Sequence, residues 1–373
     1  MDKKFRFNMP VDIRCENGLS KKLSGLINEK NILIISDPFL YNNGTAKNIG
    51  DSLEGSNVEY FYEIEPNPSC ESVDKATEKA RSINAGGIIG IGGGSALDVS
   101  KIVSCLAADD GSIYDYYSGG KMSLSKRKTK LICIPTTAGT GSEVTNVGVF
   151  TNKKAGIKMP MVTDEFWPDI SIIDPELTYT LPPSVTASTG MDAFCHAIEA
   201  YWNKQSQPIC DMLSIGALKL ILENIKKAYD NPDDKDARGA MITASLIAGI
   251  SFSQTRTTGI HALSFPLTTE FGASHGTACS ITLPAFIKKA KEEAEDKMLI
   301  LSKYLGFDTI YEFSDEIEKL MISMNMPVRL SQIGVKESDL LHIAKTGLNA
   351  AIIHLTPAVM TEETVLNLLK SIL

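Results

Sequence analysis

The hydrophobic period of this chain changes once along its length, and that change restricts the fold more than any other feature. In the first half, "NILIIS" (31–36), "VEYFYEI" (58–64), "GGIIGI" (86–91), "KLICIP" (130–135) and "ISIID" (170–174) read as short strands. Between them, "ESVDKATEKARSI" (71–83) carries Val73, Ala76, Ala80 and Ile83 at helical spacing, and "SALDVSKIVSCLA" (95–107) is a second helical run. Strands and helices alternating in this rhythm imply a parallel sheet with helices on its faces. After "DPELTYTLPP" (174–183) the strand signals stop. Helical segments follow at 183–203, 208–229, 234–253, 278–305, 308–324, 336–349 and 361–372, with "NPDDKDARG" (231–239) as a turn and helix start. The reading is an α/β domain over 1–180 and an all-helical domain over 181–373, divided near Pro182–Pro183.

A length of 373 residues suits two cores rather than one. The net charge of −8 argues against a nucleic-acid partner or an anionic membrane surface, either of which needs a clustered basic face, although one local basic pocket stays compatible. The apolar runs fall short of the about 18 residues of a membrane span. The opening "MDKKFRFNMP" has no apolar run behind it and predicts no secretory leader. Seven scattered cysteines with no CxxC pair predict reduced thiols in a cytoplasmic protein.

Two glycine-bearing turns close β-runs in the first half. "GGIIGIGGGSALDVSK" (86–101) runs strand, glycines, helix; its small residues let a backbone pass close to a ligand, and free N–H groups at a helix start favour an anion. "PTTAGTGSEVT" (135–145) is the second. Each alone reads as a tight connection; together they point to a bound phosphate compound, without the G-x-G-x-x-G fingerprint. Asp37, ending the first strand in "IISDPFL", suits either an Asp-Pro turn or the hydroxyls of an adenosine ribose, where it would repel a 2′-phosphate.

Chemistry in the second half centres on "STGMDAFCHAIEA" (188–200), an apolar helix that nevertheless carries Asp192 and His196. Four residues apart, they share a face and rise about 6 Å. "TTGIHALSFPLTTEFGASHG" (257–276) adds His261, in a helical run expected to end at Pro266, and His275, expected just before the next helix. One carboxylate and three imidazoles suit a first-row divalent ion such as Fe²⁺ or Zn²⁺; the alternative is a set of hydrogen-bonded core residues. Glu199 reads as a supporting group behind His196, and His342 and His354 as structural.

Taken in order, "EPNPS" (65–69), "GGGSALDVSK" (92–101), "PTTAGTGSEVT" (135–145), "IIDPELTYTLP" (172–182), "GMDAFCHAIEA" (190–200), "HALSFPL" (261–267) and "HG" (275–276) resemble the iron-containing (group III) alcohol dehydrogenases over essentially the whole chain. The resemblance implies the dehydroquinate synthase-like/iron alcohol dehydrogenase fold: an α/β dinucleotide-binding domain with a parallel sheet, an all-α C-terminal domain, and the reaction in the cleft between them. It implies a divalent metal, Fe²⁺ or Zn²⁺, on Asp192, His196, His261 and His275, the last two fourteen residues apart as in the family. It assigns cofactor binding to Gly92, Gly93, Gly94, Ser95 and Asp98, to Thr136, Thr137 and Ser142, and to Lys158, while Asp37 leans the cofactor to NAD(H), with NADP(H) left open. A homo-oligomer, dimer or larger, follows from the family habit.

The implied activity is reversible hydride transfer between NAD(H) and a small alcohol–aldehyde pair, the substrate oxygen resting on the metal. Phe265 departs from the family's H-A-x-x-H-P-L, where a second histidine stands; an aromatic ring cannot relay a proton, so proton release takes another route. "SFPLT…HG" is similar to a subgroup that includes reductases of phosphonate-bearing aldehydes, and Arg256 could pair with such an anionic group. The rival readings are an NAD- and metal-dependent lyase of the dehydroquinate synthase type, a metal-independent reductase, and a nucleotide-binding sensor.

Overall fold

The computed structural model describes residues 4–117 and 119–373 and divides into two compact units. One comprises Met9–Thr137 and Gly141–Thr178; the other comprises Tyr179–Leu373, Ala138–Thr140 and the N-terminal residues up to Asn8.

The first unit contains β1 (Asp12–Cys15), β2 (Asn31–Ile35), β3 (Asn57–Phe61), β4 (Gly87–Gly92), β5 (Lys130–Pro135), β6 (Val147–Asn152), β7 (Ile157–Val162) and β8 (Ile170–Ile173). Its helices are α1 (Pro38–Asn42), α2 (Thr45–Gly50), α3 (Cys70–Ser82) and α4 (Gly94–Leu106). Six strands form one parallel sheet in the order β1-β8-β5-β4-β2-β3. Its inner strands are apolar at consecutive positions because both faces are covered. Leu33, Ile35, Ile88 and Leu131 pack with Val73 of α3 and Leu97 and Val103 of α4. Ile32, Ile34, Ile89 and Ile132, on the opposite face, pack with Leu40 of α1 and Ile49 of α2. The chain leaves β2 for β3 on one side and returns to β4 on the other, so the winding direction reverses between β2 and β4. In parallel α/β sheets that reversal opens a ligand crevice beyond the strands' carboxyl ends.

Three strands went unseen in the periodicity. β1 is a four-residue edge strand with no fully buried residue. β6 and β7 form an antiparallel hairpin whose only large fully buried residue is Phe150, too little apolar patterning to register.

The second unit is built from α5 (Pro183–Trp202), α6 (Pro208–Asp230), α7 (Lys235–Thr255), α8 (Gly259–Thr269), α9 (His275–Ser280), α10 (Leu283–Tyr304), α11 (Ile310–Ser323), α12 (Leu340–Leu348) and α13 (Glu362–Ser371). α5 starts on Pro183, at a position where the missing N–H has no helical partner to lose. From Gly190 to Trp202 it is buried on every side, with α6, α7 and α9 packed around it. Asp234 starts α7 by accepting the Ala237 N–H at 2.9 Å, as the polar stretch there suggested. Two expectations are corrected. Pro266 lies inside α8 rather than ending it; the helix tolerates one lost hydrogen bond because Pro266 and Leu267 are buried against the bundle. The run at 278–305 is two helices, α9 starting earlier at His275 and α10 starting with Pro284 in its first turn. No helix among the described residues is long and apolar enough to cross a membrane.

Candidate functional site

The polar residues of α5 make sense as one face. Asp192, His196 and Glu199 sit at i, i+4 and i+7 of a buried helix. α8 supplies His261 from its first turn and α9 supplies His275 as its first residue. Asp192 Oδ1 lies 3.6 Å from His261 Nε2 and 3.7 Å from His275 Nε2, and Asp192 Oδ2 lies 3.9 Å from His196 Nδ1. These separations exceed hydrogen-bonding distance. They approach the edges of a coordination polyhedron, since bonds of about 2.0–2.1 Å set neighbouring donors roughly 3.4 Å apart. Asp192 Oδ1, His196 Nδ1 and His261 Nε2 are buried and make no hydrogen bond. An unmade bond costs about 1–3 kcal/mol for each such group, and a cation beside Asp192 would relieve it at Oδ1 and at His261 Nε2, while His196 lies outside the group of donor atoms that share one point. Cys279 also faces this point: its donor atom and those of Asp192, His261 and His275 all lie within 4.8 Å of one another.

The electrostatics of Asp192 and His196 agree with ligation. Burial by itself would raise the Asp192 carboxyl, but the imidazoles of His196, His275 and His261 hold it well below the usual carboxylate range. Burial pushes His196 down to about 4, so its ring is neutral at pH 7, the form that binds metals. That ring stacks on Phe252 at 4.2 Å. Glu199 orients the neighbouring ring. Its Oε1 accepts from Thr258 N (3.0 Å), Thr258 Oγ1 (2.7 Å), Ile260 N (2.9 Å) and His261 N (3.4 Å), which caps the start of α8. Its Oε2 accepts from His261 Nδ1, which puts the proton there and turns Nε2 toward Asp192.

Gly276 sets how closely α9 approaches α5. A Cβ there would stand 1.9 Å from the Ser188 carbonyl oxygen. Gly276→Ala is expected to displace His275 and to lower metal content per chain at least tenfold, while costing about 1–3 kcal/mol of stability. Metal content equal to wild type would show that His275 is placed by something else.

The sheet unit brings several other predicted residues to the β2/β4 reversal. Asp37 caps α1 by accepting the Leu40 N–H at 2.9 Å, and its Oδ2 lies 3.7 Å from where a Cβ on Gly92 would stand. Gly92 has φ +150, and that Cβ would stand 2.9 Å from Ala96 Cβ, so only glycine fits. Gly93 is the N-cap of α4, Gly94 and Ser95 are its first residues, and a Cβ on Gly93 would meet Thr137 Oγ1 at 3.4 Å. Thr136 N donates to Gly92 O at 3.0 Å. These residues converge. Asp98, Ser142 and Lys158 make contacts elsewhere in the same unit. Asp98 accepts from Ser142 Oγ (2.6 Å) and Val149 N (2.9 Å), and Lys158 Nζ donates to Asn67 Oδ1 at 2.7 Å on the hairpin. Ser142 also accepts from Lys101, a fully buried amine that reaches Ser142 Oγ at 2.7 Å, Thr145 Oγ1 at 2.9 Å and Val147 O at 2.7 Å.

Glu143, in the same loop, is fully buried, and burial raises its carboxyl to about 7 against an ordinary 4.5. The folded chain keeps that proton over a range where the unfolded chain has lost it. Stability linked to Glu143 is therefore whole below about pH 4.5 and is lost as pH rises through about 7. Glu143→Gln removes the effect, so its stability relative to wild type should rise by about 3 kcal/mol between pH 4.5 and pH 8 in denaturant titrations. A pH-independent difference would contradict the assignment.

Periodicity and motif reading missed Lys101 and Cys279, and left Glu199 without its helix-capping role. The only trace of the first two is spacing: Lys101 follows Asp98 by three residues and Cys279 follows His275 by four. His342 pairs with Glu270 at 3.0 Å on the surface, and His354 is exposed, so neither joins the cluster. Arg256 ends α7 with φ +71, and its Nη1 donates to Ser253 O at 3.2 Å. Phe265 lies one turn beyond His261 on α8.

Known proteins share this architecture. Residues 10–175 match the family described as iron-containing alcohol dehydrogenase, and residues 186–373 match the C-terminal part of the Fe-containing alcohol dehydrogenase family. Long-chain-alcohol dehydrogenase 1 of Geobacillus thermodenitrificans is 36% identical over 327 residues, covering 85% of this chain and 82% of its own. Sulfoacetaldehyde reductase of Bilophila wadsworthia is 36% identical over 319 residues, 82% of each. The crystal structure of sulfoacetaldehyde reductase from Bifidobacterium kashiwanohense in complex with NAD+ superposes with a TM-score of 0.94 at 34% identity, covering 99% of both chains. The chain belongs to the iron-containing alcohol dehydrogenase family.

Proposed function

We propose that this protein is an NAD(H)-linked, metal-dependent alcohol dehydrogenase/aldehyde reductase acting on a small alcohol–aldehyde pair. The observation that carries the reading is the set of buried polar atoms without a hydrogen bond, Asp192 Oδ1, His196 Nδ1 and His261 Nε2, with His261 Nε2 3.6 Å from Asp192 Oδ1 and His196 Nδ1 3.9 Å from Asp192 Oδ2. Asp192, His196, His261 and His275 are the residues that would hold the cation. Bound there, a divalent ion supplies a Lewis acid for an alcohol or aldehyde oxygen. Asp192 contributes a negative charge, the three imidazoles enter neutral, and Glu199 holds His261 in the ligating tautomer. Gly92, Gly93, Gly94 and Ser95 admit the dinucleotide's phosphates at the start of α4, beside Thr136 and Thr137. Asp37 faces the adenosine ribose and disfavours a 2′-phosphate. Asp98 acts through Ser142, whose hydroxyl it fixes, and Lys158 borders the cofactor from the hairpin. The chain acts in the cytoplasm as a homo-oligomer, a reading supported by seven unpaired cysteines and by the family resemblance.

A second reading, a reductase of an anionic aldehyde, is favoured by the likeness to sulfoacetaldehyde reductases, with Arg256 as the group for the anion. One screen tests both. NADH oxidation is followed over aldehydes with and without an anionic group, with added Fe²⁺ or Zn²⁺. Net, metal-dependent NADH loss is expected, strongest with the anionic aldehydes under the second reading. A cofactor that shows no net change with any aldehyde would sink the dehydrogenase assignment.

A further inference from the structure

Cys279 stands out because its surroundings are wrong for an ordinary core cysteine. Buried thiols normally fill apolar space. This one is fully buried, one helical turn after His275 on α9, with Sγ 3.9 Å from His275 Nε2. Its donor atom shares a 4.8 Å cluster with those of Asp192, His261 and His275. Two other members of that cluster, Asp192 Oδ1 and His261 Nε2, are buried and unpartnered, on residues only 2% and 5% exposed.

We propose that Cys279 Sγ is a direct ligand of the cation held at Asp192, His261 and His275. The inference rests on the metal-centre reading above and adds a soft donor to it. The spacing fits. A metal–sulfur bond of about 2.3 Å beside a metal–nitrogen bond of about 2.0–2.1 Å places the two donors roughly 3.6 Å apart, close to the 3.9 Å observed between Cys279 Sγ and His275 Nε2. The helix supplies the register: His275 and Cys279 are i and i+4 on α9, so both donors can face Asp192 of α5 from one side of the helix. On binding, the thiol S–H bond breaks, its proton passes to solvent, and the sulfur lone pair forms the bond to the metal. No oxidant or reductant takes part. With Asp192 and a thiolate the ligands carry two negative charges and neutralise a divalent ion. A thiolate also biases the centre toward Zn²⁺ or Co²⁺ and away from hard ions such as Mg²⁺.

The test uses the full chain, stripped with chelator and reconstituted anaerobically with Co²⁺. Wild-type protein and Cys195→Ser, which removes the neighbouring buried thiol, are expected to bind cobalt and show an intense near-ultraviolet thiolate-to-cobalt charge-transfer band beside visible ligand-field bands. Cys279→Ser is expected to lose the charge-transfer band and keep ligand-field bands. Wild-type ligand-field bands without charge transfer would overturn the Cys279 assignment and leave the Asp/His centre standing. A band that survives in Cys279→Ser would overturn it equally. Failure of the wild-type protein to retain cobalt at all would remove the metal centre itself. Because wild-type protein already separates these outcomes, the test holds even if Cys279→Ser folds poorly.

Discussion

His261→Ala purifies without its cation and without dehydrogenase activity, while the fold survives. This is the largest effect we expect from one side chain. His261 is the residue through which the α5 face and α8 meet: Nδ1 is held by Glu199, and Nε2 stands 3.6 Å from Asp192 Oδ1. Truncation removes one donor and leaves Glu199 short of one of its partners. Glu199 Oε1 still caps α8 through Thr258 and Ile260, so the backbone stays in place. We expect metal content near zero and a loss in kcat/KM of about 10³-fold or more, equivalent to roughly 4 kcal/mol of transition-state stabilisation. Elemental analysis and NADH-coupled assays measure the two quantities, and circular dichroism checks the fold. Turnover retained by a metal-free variant would end the metal-dependent reading.

Lys101→Met is expected to cost about 3–5 kcal/mol of stability, the usual consequence of stripping the partner from a buried charge. Burial works against charge on both partners, lowering the Lys101 amine and raising the Asp98 carboxyl. The geometry nevertheless argues for the ammonium, because three acceptors surround Nζ and an ammonium has three hydrogens to give them. Losing it leaves Asp98 to Ser142 and Val149 alone and frees the 142–147 segment from α4. Asp98→Asn added to Lys101→Met should recover part of the loss, since it removes the stranded charge. Denaturant titration of the two variants decides the matter; an unchanged midpoint in Lys101→Met would mean the amine is neutral in the fold. Weaker NAD(H) binding should accompany the destabilisation if Ser142 contacts the cofactor.

Much of the architecture is written in local pattern. Runs such as "GGIIGI" and "LICIP" are apolar at every position because a parallel strand is covered on both faces. The helical half announces itself through repeated 3.6 spacing. Histidines are few enough that Asp192, His196, His261 and His275 could be named together; in the fold the donor atoms of Asp192, His261 and His275 share one group, and His196 Nδ1 lies 3.9 Å from Asp192 Oδ2. What local pattern does not carry is whatever depends on which helix lies against which. The order of strands, and with it the reversal that sets Asp37 beside Gly92, comes from connection and not from composition. The β6/β7 hairpin buries so little apolar surface that periodicity passes over it.

Chain order by itself determined the two-texture division, the parallel strands, the glycine turns and the carboxylate–imidazole face of α5, because each depends on residues within a few turns of one another. Only tertiary packing decided that Glu199 caps α8 across a gap of about sixty residues, that Lys101 is tied to the loop after β5, and that Cys279 turns toward the same point as Asp192. A hydrogen-bond donor or a metal ligand acts over about 2–3 Å, and side chains distant in sequence come that close only when the helices carrying them pack.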